Sequence, residues 1–176
     1  LFRSMTAVGG VHYRGFRIVG TTGGNPAEAL ATIPERCEMR KGDNVNVIGA
    51  AGPMGVTHVI RDLCVGDGVT VYAADLSDER LEALAKIAEP TAAANGTRYV
   101  GYNPTQTQHD IKFDMQVVMA PVPALVAAAV TSCAPHGIID IFAGIPADKY
   151  GDIDLDYYCE NKLYFIGTSG STMDDI

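Results

Sequence analysis

Three glycines, each separated from the next by two residues, stand where a short apolar run gives way to a helical pattern. They are Gly49, Gly52 and Gly55, and they follow Val47 and Ile48. A strand-to-helix turn built on glycine can bring its backbone close to a ligand, because no side chain stands in the way. The first N–H groups of the helix are free and carry partial positive charge. The pattern predicts a turn that holds a pyrophosphate, and the alternative is a tight turn without a ligand.

The spacing of these glycines departs from the usual G-x-G-x-x-G, because Ala50 stands where the first glycine would fall. Pro53 suits the first turn of a helix, where a missing N–H costs little. The residues predicted to contact the phosphates are Gly49, Ala51, Gly52, Pro53, Met54 and Gly55.

A carboxylate lies at the end of the next apolar run. Asp75 follows Gly55 by 20 residues, which is where an acidic side chain accepts hydrogen bonds from the adenosine ribose of a dinucleotide. A 2′-phosphate at this position would meet like charge, so the sequence favours NAD over NADP. Leu76 and Arg80 come next in the chain and are predicted to line the same part of the site.

The elements that position these residues alternate between strand and helix patterns. Such alternation indicates parallel strands with right-handed crossovers, hence an α/β fold with a doubly wound parallel sheet of the Rossmann type in three α/β/α layers. Strands are expected at 45–48, 69–74, 97–100, 115–119, 138–142 and 163–166, with helices at 53–63, 77–88 and 124–133.

The first 40 residues fit this scheme less well. We treat 1–40 as a lead-in segment packed on the same domain, and 41–176 as the Rossmann domain. A helix is expected over 28–39, interrupted by Pro34. The segments 16–24 and 165–171 resemble each other, and the simpler interpretation is two similar strand-to-helix connections rather than two anion-binding turns.

Composition and charge exclude several classes of function. A net charge of −8 argues against nucleic acid or an anionic membrane as partner, since both require clustered Lys and Arg. No apolar run is long enough to span a bilayer. The four cysteines form no C-x-x-C pair, which indicates free thiols in a reducing compartment. We expect a cytoplasmic protein.

Several segments in the right order resemble the medium-chain dehydrogenase/reductase family, in particular its zinc-type alcohol and polyol dehydrogenases. The resemblance covers 41–176 and is carried by the segments 41–49, 72–81, 102–105, 133–139 and 163–168. It implies an NAD-binding domain and a nicotinamide placed over the carboxyl ends of the fourth and fifth strands. The residues that would line this part are Ala120, Pro121, Val122, Phe142, Ala143 and Gly144.

The resemblance also implies that the catalytic zinc is held by a separate domain. This chain contains no Gly-His-Glu segment and no four-cysteine loop. It starts at Leu1 without an initiator Met and ends in a pattern typical of a helix start, so we expect a fragment of a longer enzyme. No catalytic or metal-ligating residue is assigned here, and zinc is expected only in the missing catalytic domain.

The full-length enzyme is expected to transfer hydride between NAD(H) and a secondary alcohol or carbonyl of an alcohol, polyol or sugar-phosphate substrate, as a homo-oligomer. Two other functions remain open. One is a stand-alone nucleotide sensor with a Rossmann fold. The other is an S-adenosylmethionine-dependent methyltransferase, whose glycine loop and acidic strand end look similar.

Overall fold

The computed structural model describes residues 2–34 and 37–167, which form nine strands and six helices. In chain order these are β1 Arg3–Thr6, α1 Val8–Arg14, β2 Ile18–Val19, α2 Pro26–Leu30, β3 Asn44–Ile48, α3 Pro53–Val65, β4 Thr70–Ala74, α4 Asp78–Asn95, β5 Arg98–Tyr102, β6 Phe113–Val118, α5 Pro123–Ser132, β7 Cys133–Asp140, β8 Gly151–Asp154, α6 Leu155–Glu160 and β9 Tyr164–Ile166. Within these described ranges, no helix is both long and apolar enough to cross a membrane.

The main sheet has seven strands in the order β2-β9-β7-β6-β3-β4-β5. All neighbours pair in parallel except β2, which runs antiparallel to β9. Strand β3 pairs with β4 on one side and with β6 on the other, so the chain reverses its direction of winding between β3 and β6. This is the strand order of a doubly wound sheet, in which ligands bind at the carboxyl ends beside the reversal. The Rossmann-type fold is confirmed.

Helices cover both faces of the sheet. Val117 packs in a core cluster with Leu63 of α3 and Leu84 of α4, whereas Val118 packs in a second cluster with Val126 of α5. Successive residues of a strand point to opposite faces. Helices α3 and α4 therefore cover one face and α5 covers the other, which gives the predicted three layers.

The six strands predicted for the Rossmann domain are all present, with shifted ends. Helix α4 runs further than expected, through Pro90, and ends at Asn95, where Gly96 adopts a left-handed conformation with φ 68°. Strand β7 starts five residues before the strand predicted over 138–142, and this added part contains a bulge. The pairing of β7 with β6 shifts from Cys133–Phe113 to Ile138–Met115, so the four residues 134–137 lie opposite residue 114 alone.

The helix predicted over 28–39 is wrong. Helix α2 ends at Leu30, and Ile33 closes a turn by donating its N–H to the Leu30 carbonyl. Pro34 disfavours the helical conformation in the residue before it and has no N–H to continue the ladder. Asn25 caps the start of α2 by accepting from the Ala27 N–H at 3.1 Å.

The N-terminal residues pack against the C-terminal part of the described chain. Strand β1 pairs antiparallel with β8 in a small second sheet. Strand β2 pairs with β9, with Ile18 opposite Phe165 and Val19 opposite Tyr164. The two similar segments 16–24 and 165–171 are therefore neighbours in the sheet as far as residue 167. Residues 168–176, with the helix start predicted near the end of the chain, lie outside the described residues.

Candidate functional site

The glycine loop folds over the end of the neighbouring strand β4. The N–H groups of Gly49 and Ala50 both donate to the Ala74 carbonyl, at 2.8 and 3.0 Å. Gly49 has φ +90°, a left-handed value that disfavours any residue with a Cβ. A Cβ there would also lie 3.5 Å from the Ala120 nitrogen, so the loop is adjacent to the end of β6.

Gly55 meets a different requirement. A Cβ on Gly55 would lie 2.6 Å from the Ala50 carbonyl oxygen and would also collide with the Gly49 carbonyl. Both obstacles are backbone atoms, which cannot move aside without changing the loop. The glycine at this position therefore lets α3 pack directly on the loop.

Gly52 has no such requirement within the protein. Its φ of −78° and ψ of 166° are values that any residue adopts. A Cβ built there would have the Gly49 carbonyl oxygen as its nearest neighbour, at an ordinary 3.6 Å. Backbone conformation and packing therefore do not demand a glycine at residue 52, which as the N-cap of α3 is one of several residue types preferred there.

The start of α3 presents polar groups without partners from the helix itself. Gly52 is the N-cap, no side chain caps the helix, and Pro53 occupies the first turn. The N–H groups of Met54 and Gly55 belong to this turn, where no earlier carbonyl of the helix is available. Together with the helix dipole they form a cradle for an anion.

Asp75 follows β4, next to this cradle, and is 7% exposed. One carboxylate oxygen accepts from the Ala51 N–H at 3.1 Å. The other accepts from the Ser77 N–H and from the Arg80 guanidinium, both at 3.0 Å. The carboxylate thus ties the glycine loop to the start of α4. A carboxylate has about four acceptor positions, so one remains for a ligand hydroxyl.

The side chain of Leu76, by contrast, is 70% exposed at the same edge of the sheet. Arg80 is also exposed, at 58%, and reaches back from α4 to Asp75. An apolar side chain and a guanidinium therefore flank the buried carboxylate, which suits an adenosine with its flat base and its ribose hydroxyls.

The two segments predicted to line the nicotinamide part meet at the carboxyl ends of β6 and β7. The Ala143 N–H donates to the Val118 carbonyl at 2.8 Å, which joins 142–144 to the end of β6. Ala120 is half-buried, and Pro121 and Val122 are exposed. Of the second segment, Phe142 is half-buried, Ala143 is buried and Gly144 is exposed.

Two residues of α1 lie beside this edge and were not foreseen from the sequence. The Nδ1 atom of His12 lies 3.2 Å from the Ile141 carbonyl oxygen. The Tyr13 hydroxyl lies 3.2 Å from where a Cβ on Gly144 would stand. No local pattern signals this placement, because it depends on pairing between the two ends of the described chain.

A buried histidine lies behind the same edge. His58 of α3 packs edge-on against Phe142, with ring centroids 4.7 Å apart. Burial, aided by the charge of Arg61, lowers the pKa of His58 to about 4, so the imidazole is neutral at pH 7. One turn further along α3, burial raises the pKa of Asp62 to about 7. No motif in the sequence singles out Asp62.

The alternating aspartates 152, 154 and 156 have structural partners. Asp152 pairs with Arg3 at 2.9 Å, Asp154 caps α6 through the Tyr157 N–H, and Asp156 accepts from the backbone N–H of residue 2. Across residues 2–34 and 37–167, no three His, Cys, Asp or Glu side chains gather in a way that could hold a metal ion.

Comparison with known proteins gives one curated relative and many solved structures. No family model matches the sequence. The uncharacterized protein YggP of Escherichia coli K12 is 30% identical over 175 residues, which cover 90% of this chain and 40% of the relative. The chain thus spans about 40% of the length of this relative.

Solved dehydrogenases share the fold. An alcohol dehydrogenase of E. coli CFT073, complexed with NADH, superimposes with a TM-score of 0.60 at 25% identity, over 82% of this chain and 41% of that one. The 2R,3R-butanediol dehydrogenase of Bacillus subtilis gives 0.57 at 20% identity, over 80% and 39%. A putative zinc-binding dehydrogenase of Sinorhizobium meliloti, bound to NADP, gives 0.58 at 16% identity, over 74% and 38%. The resemblance to alcohol and polyol dehydrogenases is confirmed at the level of the fold.

Proposed function

We propose that this chain, which has the fold of a medium-chain dehydrogenase nucleotide domain, binds NAD for an alcohol, polyol or sugar-phosphate dehydrogenase. The observation that carries the proposal is the cradle at the start of α3. The N–H groups of its first turn have no carbonyl partner within the helix, residue 52 is a glycine although a Cβ would fit there, and Asp75 lies beside the loop. A pyrophosphate with an adjacent ribose accounts for all three features.

Each part of the site has a defined task in this proposal. The N–H groups of Met54 and Gly55 hold the pyrophosphate, and Asp75 accepts from a ribose hydroxyl. The segments 120–122 and 142–144 support the nicotinamide at the carboxyl ends of β6 and β7. When bound, the nicotinamide supplies the hydride chemistry, and the protein's task is to orient it.

The described residues of this chain do not fit a catalytic zinc, because no suitable set of ligands comes together. We therefore derive no step through zinc. In the proposed full-length enzyme, residues 41–176 are the nucleotide domain, residues 1–40 are its lead-in, and metal and substrate belong to a catalytic domain outside this chain.

The proposal is tested by titrating the chain with NADH, NADPH and S-adenosylmethionine. The sequence contains no tryptophan, so the emission of bound NADH can be followed without interference from the protein. Saturable binding of NADH with a preference over NADPH supports the proposal. Binding of S-adenosylmethionine in place of NADH would establish the methyltransferase alternative.

Asp75→Ala is expected to weaken NADH binding by about 1–3 kcal/mol, the scale of a hydrogen bond to a charged group. It should also reduce the difference in affinity between NADH and NADPH, since the charge that opposes a 2′-phosphate is gone. Arg80→Ala is the comparison variant that removes the ion pair alone, because it keeps the Asp75 contacts to Ala51 and Ser77. If the unaltered chain binds NADPH as tightly as NADH, the assignment of Asp75 is wrong.

The chain is expected to turn over no alcohol or polyol, with or without added zinc, although it binds NADH. The reason is the missing ligand set among its described residues. The measurement is NADH formation from NAD over a panel of primary alcohols, secondary alcohols and polyols, with a complete zinc-dependent alcohol dehydrogenase as positive control. Zinc-dependent turnover by this chain would contradict the expectation.

A further inference from the structure

Asn103, directly after β5, is the most completely hydrogen-bonded side chain near the proposed adenosine site. It is 8% exposed. Its amide nitrogen donates to the Leu76 carbonyl at 3.1 Å and to the Asp78 carboxylate at 2.9 Å. Its oxygen accepts from the N–H and the hydroxyl of Thr105, at 3.1 and 2.7 Å. Both donors of the amide reach more than 20 residues back along the chain.

Those two donors hold the corner between β4 and α4 from one side. Leu76 and Asp78 flank Ser77, whose N–H donates to Asp75. Asp75 in turn accepts from Ala51 of the glycine loop on the other side. The turn between β4 and α4, which carries Asp75 and Leu76, is therefore held by Asn103 after β5 and by the glycine loop after β3.

Leu76 is anchored through its backbone although its side chain is largely exposed. An apolar side chain left 70% exposed next to a buried carboxylate gains nothing from the fold itself. Because its carbonyl is held by Asn103, the backbone that carries this side chain is fixed at the rim of the sheet. Asp78 also accepts from the Gln106 amide at 2.8 Å, a hydrogen bond that does not involve the Leu76 carbonyl.

We propose that Asn103 is a positioning residue for the adenosine half of the cofactor, acting by holding Leu76 and the corner beside Asp75. This inference rests on the proposed function. The adenine base packs on the Leu76 side chain, and Asn103 determines where that side chain stands. Asn103 itself contacts no cofactor atom.

The test compares Asn103→Ala with Gln106→Ala in the full chain, using 5′-AMP and NADH as probes well below the melting temperature. Asn103→Ala is expected to weaken both probes by the same factor, about fivefold to tenfold, because both share the adenosine. The emission maximum of saturating bound NADH should stay unchanged, because the nicotinamide part is intact. Gln106→Ala should leave both affinities within about twofold, since it loses only a surface hydrogen bond.

A second variant isolates the contact to Leu76 in case Asn103→Ala does not fold. In Asn103→Asp combined with Asp78→Asn, the exchanged pair can still bond to each other and to Thr105, but nothing donates to the Leu76 carbonyl. The same loss of AMP affinity is expected.

The outcomes separate this inference from the function on which it rests. If the variants bind AMP as the unaltered chain does and only the melting temperature falls, Asn103 is merely structural and the inference is overturned. If the unaltered chain binds neither AMP nor NADH, the proposed function is wrong, and the inference about Asn103 is wrong as well.

Discussion

Gly52→Val is expected to weaken NADH binding by about 100-fold or more, while the melting temperature of the cofactor-free protein falls by only about 3 °C or less. The backbone of Gly52 is in a conformation open to all residues, and a Cβ there meets nothing closer than 3.6 Å. The Cβ of a substituted residue is therefore tolerated by the fold, and we expect the valine side chain to occupy the space of the pyrophosphate. Pro53 fixes the start of α3, so the loop cannot easily retreat.

The matched control for this variant is Gly55→Ala, three residues further on. Its added methyl group would collide with the carbonyls of Gly49 and Ala50, so we expect a loss of about 1–3 kcal/mol in unfolding free energy. NADH titration and thermal melting of the same samples separate the two effects. If Gly52→Val leaves affinity unchanged and lowers the melting temperature strongly, the loop is a tight turn and not a phosphate cradle.

The glycine loop shows how far the sequence could lead. The spacing of Gly49, Gly52 and Gly55 between an apolar run and a helical pattern predicted the turn, because tight backbone approach is a local requirement. What the spacing could not assign was which glycine the fold needs. The structure assigns a left-handed backbone to Gly49 and close packing to Gly55, whereas Gly52 meets no demand beyond its place as the N-cap of α3.

The N-terminal residues show where local reasoning stops. The contact of His12 with Ile141 joins residues 129 positions apart, and the pairing of β2 with β9 joins residues about 145 positions apart. Strand β2 has only two residues, so no periodicity could reveal it. The helix predicted over 28–39 is wrong for a local reason. Pro34 does not interrupt a longer helix, because the helix has already ended at Leu30.

Asp75 shows a third kind of limit. Its position after β4 suggested a ribose contact, which depends only on the strand order. Its hydrogen bonds to Ala51 and Ser77 depend on how two loops meet, and they give it a structural task as well. A loss of NADH affinity in Asp75→Ala is therefore compared with the change in melting temperature of the same variant and with the NADH affinity of Arg80→Ala.

Asp62→Asn is expected to stabilise the protein by about 2–4 kcal/mol at pH 8 and to change little near pH 4. Asp62 is 3% exposed, and its Oδ2 atom finds no hydrogen-bond partner among the described residues. Burial raises the pKa of Asp62 from 3.8 to about 7; Arg61 opposes this shift and Asp140 adds to it. The folded protein holds this proton where the unfolded chain has lost it, so stability declines as pH rises from about 4 to 7.

Over part of this pH range His58 changes the free energy of unfolding in the opposite direction, so the pH profile distinguishes the two groups. Its pKa is lowered from 6.5 to about 4, so the unfolded chain binds a proton that the folded protein refuses, and stability declines as pH falls from about 6.5 to 4. The two effects oppose each other in the unaltered protein. In Asp62→Asn only the histidine effect remains, and stability should fall steadily towards acid.

Urea unfolding followed by circular dichroism between pH 4 and 8 measures both profiles. Asp110→Asn removes a carboxylate at an exposed position and serves as the control for a general change of charge. The free energy of unfolding of this control should differ from that of the unaltered protein by a small amount that does not depend on pH. If the difference between Asp62→Asn and the unaltered protein is equally large at pH 4.5 and pH 8, Asp62 ionises normally in the folded state. The buried face of α3 would then be open enough for water to reach the carboxylate.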